Sequence, residues 1–450
     1  MKPNLEPIKP TFKSRFTRYY LSVNLKFWIS HVFALGWTIF SIYLSLSWLK
    51  DLSEIFTLPI AIFIIGGIAY IPGYLNAFLI VSLILDRQPK LKNEFPSDDV
   101  TLLVAAYNEE KSIFNTLKYV ADQDYEGIIN VIVINNKSTD NTGKEVIRAK
   151  KELALNLTLL NESNPGKFNA LNKGLKHVRT PYVITLDADT LLHPSAIRYL
   201  VSRMKSSPSN VCAVAGSMLV RNSRENIWTK LQEFDYFLGI ASMKRLQGLY
   251  QGTLVAQGAF SLYKTESVRE VKGWPDAIGE DIVLTWRLLH NGWKVYFEPL
   301  AVAFTDVPNS LGHFATQRSR WARGMIEGLI EVKPWNQPQI YTKYMTGINL
   351  MMIYLDTVYT FCWIPGFVLA FFGIYWIVGP MTLLVLPLTI ISYGLLFIFQ
   401  KYYVFRNLHL RIRTNKIGFI LFVLFYQMIM SPVSVWGYLQ EFFKLKRVWE

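Results

Sequence analysis

The segment Val183-Ile184-Thr185-Leu186-Asp187-Ala188-Asp189 runs as an apolar strand into two carboxylates separated by one small residue. On an extended chain residues i and i+2 point to the same side, so Asp187 and Asp189 can face one ligand together. A Mg²⁺ or Mn²⁺ ion shared between carboxylate and substrate phosphates needs hard oxygen ligands of that kind. Other chemistry-bearing groups flank this pair: Tyr107-Asn108-Glu109, Ser138-Thr139-Asp140, Gly166-Lys167, Gly279-Glu280-Asp281 and Gln317-x-x-Arg320-Trp321. Lys167 and Arg320 can neutralise a diphosphate, the arginine through a planar fork of donors. Asp281, at the start of a helical run, can take a proton from a hydroxyl. Trp321 offers an aromatic face to the C–H surface of a sugar. Taken singly, each has a plainer reading: a solvated turn, two surface cations, and acidic residues at a helix start.

Residues 98 to about 310 alternate β-branched runs with polar-faced helical segments. Val100–Ala106, Ile129–Ile134, Leu157–Leu160 and Tyr182–Leu186 are predicted strands; Lys111–Val120, Lys144–Leu153 and Lys167–Val178 are predicted helices. That alternation predicts a largely parallel sheet with helices on both faces, whose ligands bind at the carboxyl ends of the strands. The polar clusters at Tyr107, Asn135-Asn136 and Asp187 each follow a strand, which points to one shared pocket. Trp228–Tyr250 reads as an amphipathic helix, with Trp228, Leu231, Phe234, Leu238 and Met243 opposite Lys230, Glu233, Asp235, Lys244 and Arg245. It packs on the domain or lies at a membrane surface.

The chain has 450 residues, 51% of them hydrophobic, and a formal net charge of +14. Its apolar residues gather in long uncharged runs at both ends. Lys9–Lys26 and Lys401–Lys416 adjoin those runs, where anionic headgroups attract basic side chains. No zinc-ligand pattern or basic helix array accompanies the charge, so no nucleic-acid partner is expected. Cys212 and Cys362 form neither a disulfide framework nor a metal motif, and the first apolar run is too long for a cleavable leader. Crossings are predicted at Phe27–Leu49, Ile55–Leu85, Met351–Ile374 and Met381–Phe399, with Lys50–Glu54 and Gly379-Pro380 as turns. Asp356 should face protein or a polar passage. Ile417–Phe443 is broken at Ser431-Pro432 and ends in Lys444, Lys446 and Arg447, so it is expected to be re-entrant or interfacial. Both termini and the central block are then cytosolic. The predicted parts are 1–97, a basic leader and two membrane helices; 98–343, the catalytic domain; and 344–450, membrane and interfacial helices forming a channel.

With Gly166-Lys167-x-Asn169-Ala170-Leu171-Asn172 added, these motifs in this order resemble the processive, membrane-embedded glycosyltransferases of family 2. The sequence is similar to cellulose, hyaluronan and poly-N-acetylglucosamine synthases over residues 98–450. The resemblance implies a cytosolic α/β GT-A domain, Rossmann-like, inserted between transmembrane helices of the plasma membrane. It implies a UDP-sugar donor, Mg²⁺ or Mn²⁺, a growing β-linked polysaccharide as acceptor, inversion at the sugar, and room for accessory export or regulatory subunits. Tyr107, Glu109, Asn136, Lys167, Asp187, Gln317 and Arg320 would bind the donor, and Asp189 with Asp187 the metal. Asp281 would be the general base, and Glu280, Gln257, Gly258 and Trp321 would meet the acceptor.

Two positions depart from the family pattern. Asn135 and Asn136 stand where two aspartates are usual; an amide oxygen can still accept from a uracil N3–H but carries no charge. Gln257 stands where cysteine or serine is frequent, so sugar preference does not transfer, and glucan and N-acetylglucosamine polymers both fit. Lys444–Trp449 corresponds to part of a loop that closes over the donor in relatives, or to a membrane-surface anchor. The competing functions are transfer of one sugar to a lipid carrier, which Gln317-x-x-Arg320-Trp321 disfavours, and a catalytically silent export subunit, which intact Asp187, Asp189 and Asp281 disfavour.

Overall fold

In the computed structural model, which describes residues 21–86, 89–379 and 386–446, the β-branched runs of the central block join one eight-stranded sheet. The strands are β1 (Val100–Ala106), β2 (Ile129–Asn136), β3 (Asn156–Glu162), β4 (Tyr182–Asp187), β5 (Leu191–Leu192), β6 (Val211–Val220), β7 (Phe260–Lys264) and β8 (Lys294–Thr305). Their spatial order is β3-β2-β1-β4-β7-β6-β8-β5. The first four are parallel to one another, as is β6 to β8; β7 runs against both β4 and β6, and β5 against β8. The sheet is therefore mixed. Apolar periodicity identifies a strand but carries no information about its direction, which the returning chain decides.

The helices are α1 (Val23–Leu44), α2 (Leu46–Ile55), α3 (Leu58–Leu85), α4 (Ile113–Ala121), α5 (Thr142–Glu152), α6 (Lys167–Leu175), α7 (Ala196–Ser206), α8 (227–249), α9 (Thr265–Glu270), α10 (Glu280–His290), α11 (Leu311–Glu331), α12 (Ile340–Ala370), α13 (Pro387–Phe405) and α14 (Lys416–Phe442). Side-chain alternation sends Leu103, Ile132 and Val183 to one face of the sheet, where they meet Ala170 and Leu171 of α6. Leu102, Val104, Ile184 and Leu186 go to the other, against Ile113 and Leu117 of α4 and Ile197 and Leu200 of α7. Each fully buried side chain of this size contributes about 1.5–3 kcal/mol, so both faces are held shut.

Among the described residues α1, α3, α12, α13 and α14 are long and apolar enough to cross a membrane. Several expectations change. Lys50–Glu54 is the second half of helix α2, not an open linker. Pro59 sits harmlessly in the first turn of α3, and the irregularity there is a π-turn at Gly66–Tyr70. Helix α12 starts at Ile340 rather than Met351. The leader before residue 21 and Pro380 lie outside the described residues.

Helix α14 is unbroken through Ser431-Pro432 over its 27 residues, correcting the expected interruption. Both of its ends meet the central block. Asn415 donates to the Lys230 carbonyl of α8 at 2.9 Å, and a Cβ on Gly418 would collide with that same carbonyl. A Cβ on Gly437 would lie 2.6 Å from the Ser319 carbonyl of α11 and 2.7 Å from Ala322 Cβ. Glu441 pairs with Arg323 of α11 at 3.0 Å. The two glycine contacts are about 28 Å apart along the helix axis. Between them Asp356 of α12 accepts from Ser431 Oγ and Tyr438 OH, both at 2.7 Å, and from Gln427 Nε2 at 3.3 Å. The lone carboxylate of α12 thus faces protein, as intramembrane cost demands.

One further contact sets the geometry of the site. A Cβ on Gly279, which caps α10, would sit 2.7 Å from Gly324 Cα of α11, and the reverse distance is 2.8 Å. The Gly279 N–H donates to Glu327 Oε2 at 3.0 Å. The two backbones touch with nothing between them. Gly324→Ala should destabilise the protein by about 1–3 kcal/mol through overpacking, whereas Gly312→Ala on the same helix meets nothing within 4 Å. Thermal unfolding of the two variants in detergent checks this: equal midpoints would show that the contact can relax.

Candidate active site

Parallel register brings the polar clusters to one edge of the sheet. Ala105 is level with Asp187, Ala106 with Asn135, and Asn136 with Glu162. The loops after β1 and β2 are laced together there. Asn108 and Lys137 adopt left-handed backbone (φ 55° and 60°). Thr139 N–H donates to Asn108 Oδ1 at 2.8 Å, Glu109 N–H to Thr142 Oγ1 at 2.7 Å, and Glu110 N–H to Asp140 Oδ2 at 3.1 Å. Asp140 is thereby a loop brace. Tyr107 projects beyond it, 52% exposed, with its ring open to a stacking partner.

Asn136 is different from its sequence reading. It is buried, its Nδ2 donates to the Asn164 carbonyl at 2.6 Å, and its Oδ1 accepts from Gly166 N–H at 2.9 Å. Both ends of the amide fasten the loop that leads into Lys167, so no group remains to read a base. Asn135 is half-buried at the same edge, between Ser138 and Asn161.

Lys167 opens α6 immediately after Gly166, whose φ of 124° suits only glycine. Its Nζ lies 2.5 Å from Asp187 Oδ1 and 3.6 Å from Glu280 Oε1. Burial works against the ammonium, but the surrounding Asp187, Glu280 and Asp281 carboxylates outweigh it and hold the group well above its usual range. Glu280 is buried and shifted upward, chiefly by loss of water and further by Asp281, with Lys167 opposing. Asp189 is pushed up to about 6, first by burial and then by repulsion from Asp187 and Glu109. Thr116 of α4 donates to the Ala188 carbonyl at 2.8 Å and fixes the turn that carries both aspartates.

Among the described residues no three His, Cys, Asp or Glu side chains form a ready-made metal cage. The donor set still fits a hard cation: burial and the neighbouring Asp187 raise the cost of ionising Asp189, which a divalent ion would relieve. Such an ion would complete its shell with substrate oxygens, as Mg²⁺ sites commonly do. A cleft of about 530 Å³ adjoins them, walled by Asn108, Glu109, Asp189, Arg221 and Asp306 among others.

Asp281 lies in the first turn of α10. Its Oδ1 accepts from Ile282 N–H at 2.8 Å and its Oδ2 from Gly258 N–H at 3.0 Å, so the half-exposed carboxylate is fixed in direction. Gly258 is part of that floor for a steric reason as well: a Cβ there would be 2.8 Å from Lys167 Nζ. Gln257 turns its amide inward: Nε2 donates to the Gly216 and Phe260 carbonyls at 2.7 and 3.1 Å, and Oε1 is buried without a hydrogen-bond partner. Lys244 of α8, placed on the helix's polar face by sequence, donates to the Val255 carbonyl at 3.3 Å. Burial lowers it to about 7, with Asp281 opposing.

Helix α11 carries Gln317, Arg320 and Trp321. Trp321 is 36% exposed, Arg320 is half-buried, and the Gln317 amide oxygen is buried without a hydrogen-bond partner. Beneath Trp321 is a residue that sequence reasoning passed over. Arg318 is 1% exposed, its guanidinium carbon is 4.0 Å from the Trp321 ring centroid, and it pairs with Asp235 of α8 at 2.7 Å. Phe314 and Tyr236 rings flank the same guanidinium at 5.2 and 5.6 Å. Spacing held the clue, since residues three apart on a helix are neighbours. Asp235 and Arg245, expected on a solvated face, are instead inside, the latter paired with Asp86 at 2.6 Å.

A GT-A-like sheet edge with a lysine among carboxylates, a fixed aspartate and a tryptophan helix is the constellation of a sugar transferase. Residues 96–324 match the model of the glycosyltransferase like family 2, and the chain belongs to that family. It is 34% identical over 281 residues to poly-beta-1,6-N-acetyl-D-glucosamine synthase of Staphylococcus aureus, covering 61% of this chain and 67% of that one. It is 32% identical over 300 residues to the enzyme of that name in Staphylococcus epidermidis, covering 66% and 70%. The mannosyltransferase PcManGT of Pyrobaculum calidifontis, solved with GDP-Man and Mn²⁺, superposes with a TM-score of 0.59 at 18% identity over 85% of this chain and 98% of that one, a likeness of fold.

Gly258→Ala should leave the fold intact, because the atom it meets is the mobile end of a lysine, but should push Lys167 away from Asp187. Titration with UDP should show affinity about tenfold weaker, the loss of one charge-assisted contact. Unchanged affinity would mean that Lys167 does not contact the diphosphate.

Proposed function

We propose that this chain is an inverting polysaccharide synthase that adds N-acetylglucosamine from a UDP-sugar to a growing β-linked chain, processively, and passes the product across the plasma membrane. One observation carries this reading: the Gly279–Gly324 contact places the fixed Asp281 carboxylate and the Trp321 helix side by side. The choice of N-acetylglucosamine rests on the printed activity of the staphylococcal relatives. The catalytic part is assigned to 98–343, the flanking helices of 1–97 and 344–450 to membrane and channel. Accessory subunits could join those helices.

The acceptor sugar would rest on Trp321, which Arg318 supports from below. Its hydroxyl oxygen attacks the anomeric carbon while Asp281 takes the hydroxyl proton. The bond from that carbon to the diphosphate oxygen breaks as the new glycosidic bond forms. Attack opposite the leaving group inverts the anomeric centre. Lys167 and Arg320 carry the charge that collects on the departing UDP. Tyr107 would stack on the base, and Glu109 would bond to it. Mg²⁺ or Mn²⁺, held by Asp189 with Asp187 at its edge, would supply further neutralisation of the diphosphate.

Asp281→Asn keeps the size of the side chain and removes the base, so elongation should fall about 10²–10⁴-fold with UDP binding little changed. Trp321→Ala should abolish elongation while slow hydrolysis of UDP-sugar to water persists. Full-length protein in detergent, each UDP-sugar, a divalent ion and linkage-specific glycosidases give the readout. Long glycosidase-sensitive polymer supports the proposal. A single transferred sugar, or an Asp281→Asn enzyme at wild-type rate, overturns it.

The basic residues from Lys401 to Lys416 favour a cytosolic location for that stretch. With both ends of α14 docked on the catalytic block, this helix is assigned to the cytosolic interface and the other four long helices to full crossings. Single cysteines at Asn415 and Lys446, after replacement of Cys212 and Cys362, should react with impermeant reagent only from the cytosolic side. Labelling at Lys446 from outside intact cells, with Asn415 reached only from inside, would establish a fifth crossing.

A further inference from the structure

We propose that Arg221 is an additional ligand of the donor's diphosphate, held by Asp306 until the nucleotide arrives and then exchanged from carboxylate to phosphate. This inference rests on the UDP-sugar reading above. Arg221 follows β6 and Asp306 follows β8, and the parallel register that sets Val220 beside Thr305 places the two side chains together. The Arg221 N–H donates to the Thr305 carbonyl at 2.9 Å, so the arginine leaves from a strand end and not from a loose loop. Its Nε is 2.7 Å from Asp306 Oδ1, and its Nη2 bonds Oδ2, the forked geometry that also suits a phosphate.

Arg221, Asp306 and Asp189 line the same cleft of about 530 Å³, whereas Lys167 does not line it. An ion and diphosphate gathered at Asp189 would therefore meet Arg221 on a wall that Lys167 does not serve. Arg221 also senses the Asp189 carboxylate electrostatically. Both partners of the Arg221–Asp306 pair are substantially exposed, 40% and 38% by side chain. Exposed pairs of this kind are weak, and a diphosphate carries more charge than one carboxylate, so exchange favours the nucleotide. Asp306 then has two effects: it pre-orients the guanidinium in the empty site, and it competes with the ligand.

That competition predicts opposite signs for the two halves of one ion pair. Binding of UDP with Mn²⁺ to the full-length protein in detergent, by calorimetric titration, is the measurement. Arg221→Gln should weaken UDP about tenfold or more, the loss of a charge-assisted contact, and should leave uridine binding unchanged because uridine lacks the diphosphate. Asp306→Asn should tighten UDP by up to about fivefold, the strength of an exposed pair. The double variant should match Arg221→Gln alone, since Asp306 acts only by holding Arg221. The proposal is overturned if both single variants shift UDP affinity the same way, if Arg221→Gln has no effect, or if Asp306→Asn still tightens binding when Arg221 is gone. That last result would mark a general field effect. Wild-type protein that binds no UDP with Mn²⁺ would remove the UDP-sugar reading itself, an outcome distinct from wild-type binding with silent variants.

Discussion

Contact between two backbones, at Gly279 and Gly324, is the constraint on which the active site depends. The N-terminus of α10 carries the candidate base, and α11 carries the candidate acceptor platform. A Cβ at either glycine would lie 2.7 or 2.8 Å from the opposing Cα, so the two backbones would have to part. Proton abstraction needs a base within about 3 Å of the acceptor hydroxyl, so such a displacement disconnects chemistry from substrate. Glu327 closes the same junction by accepting from the Gly279 N–H. The glycines thus belong to function through distance, without touching a substrate.

Electrostatics imposes a second requirement. Asp187, Asp189, Glu280, Glu109 and Asp281 bring several negative charges to the end of one sheet, with Lys167 buried among them. Alone, such a cluster is unfavourable, because burial removes the water that would screen it. A site poised this way gains by binding a cation, and the cation in turn admits a diphosphate. Arg221 after β6 and Lys167 at the start of α6 lie on different elements, and on the proposed reading that suits a ligand with several oxygens better than a point charge.

The junction between membrane helices and catalytic block combines an apolar seam, where Phe27 and Phe78 meet Tyr250 with ring centroids 5.4 and 5.6 Å apart, with buried ion pairs. Asp86 at the end of α3 pairs with Arg245 of α8 at 2.6 Å, and Arg203 of α7, paired with Glu298 of β8 at 2.6 Å, donates to the Pro89 carbonyl beyond α3. Ser82 of α3 bonds Tyr250 OH at 2.8 Å. Such pairs add little net stability but are costly to break singly, so they fix orientation more than strength. The same device recurs under Trp321, where Arg318 and Asp235 tie the acceptor platform to α8. Phe314, which flanks the same guanidinium, meets Tyr426 of α14 edge-on with ring centroids 6.2 Å apart, which makes the docking of α14 part of the platform's support.

Much of this was present in the sequence. Unbroken, largely apolar runs marked β1 and β4 nearly to the residue, since both strands are buried on two faces. Residue type and spacing singled out Asp187 and Asp189, Lys167, Asp281 and Trp321 as candidates, because strand alternation and helix starts are local properties. Other decisions needed the folded chain. Asn136 and Gln257 have the right chemistry, yet each amide nitrogen is bonded to carbonyls, and the Asn136 oxygen to the Gly166 N–H, that only the folded loops supply. Asp235 and Arg245 fell on the polar face of a helix, and Arg318 drew no notice, because a helix pattern cannot show which distant element covers it. The direction of β7, the continuity of α14 across Pro432 and the meeting of Gly279 with Gly324 depend on segments far apart in the chain. Local sequence determines which groups are available; tertiary packing decides which of them remain free to act.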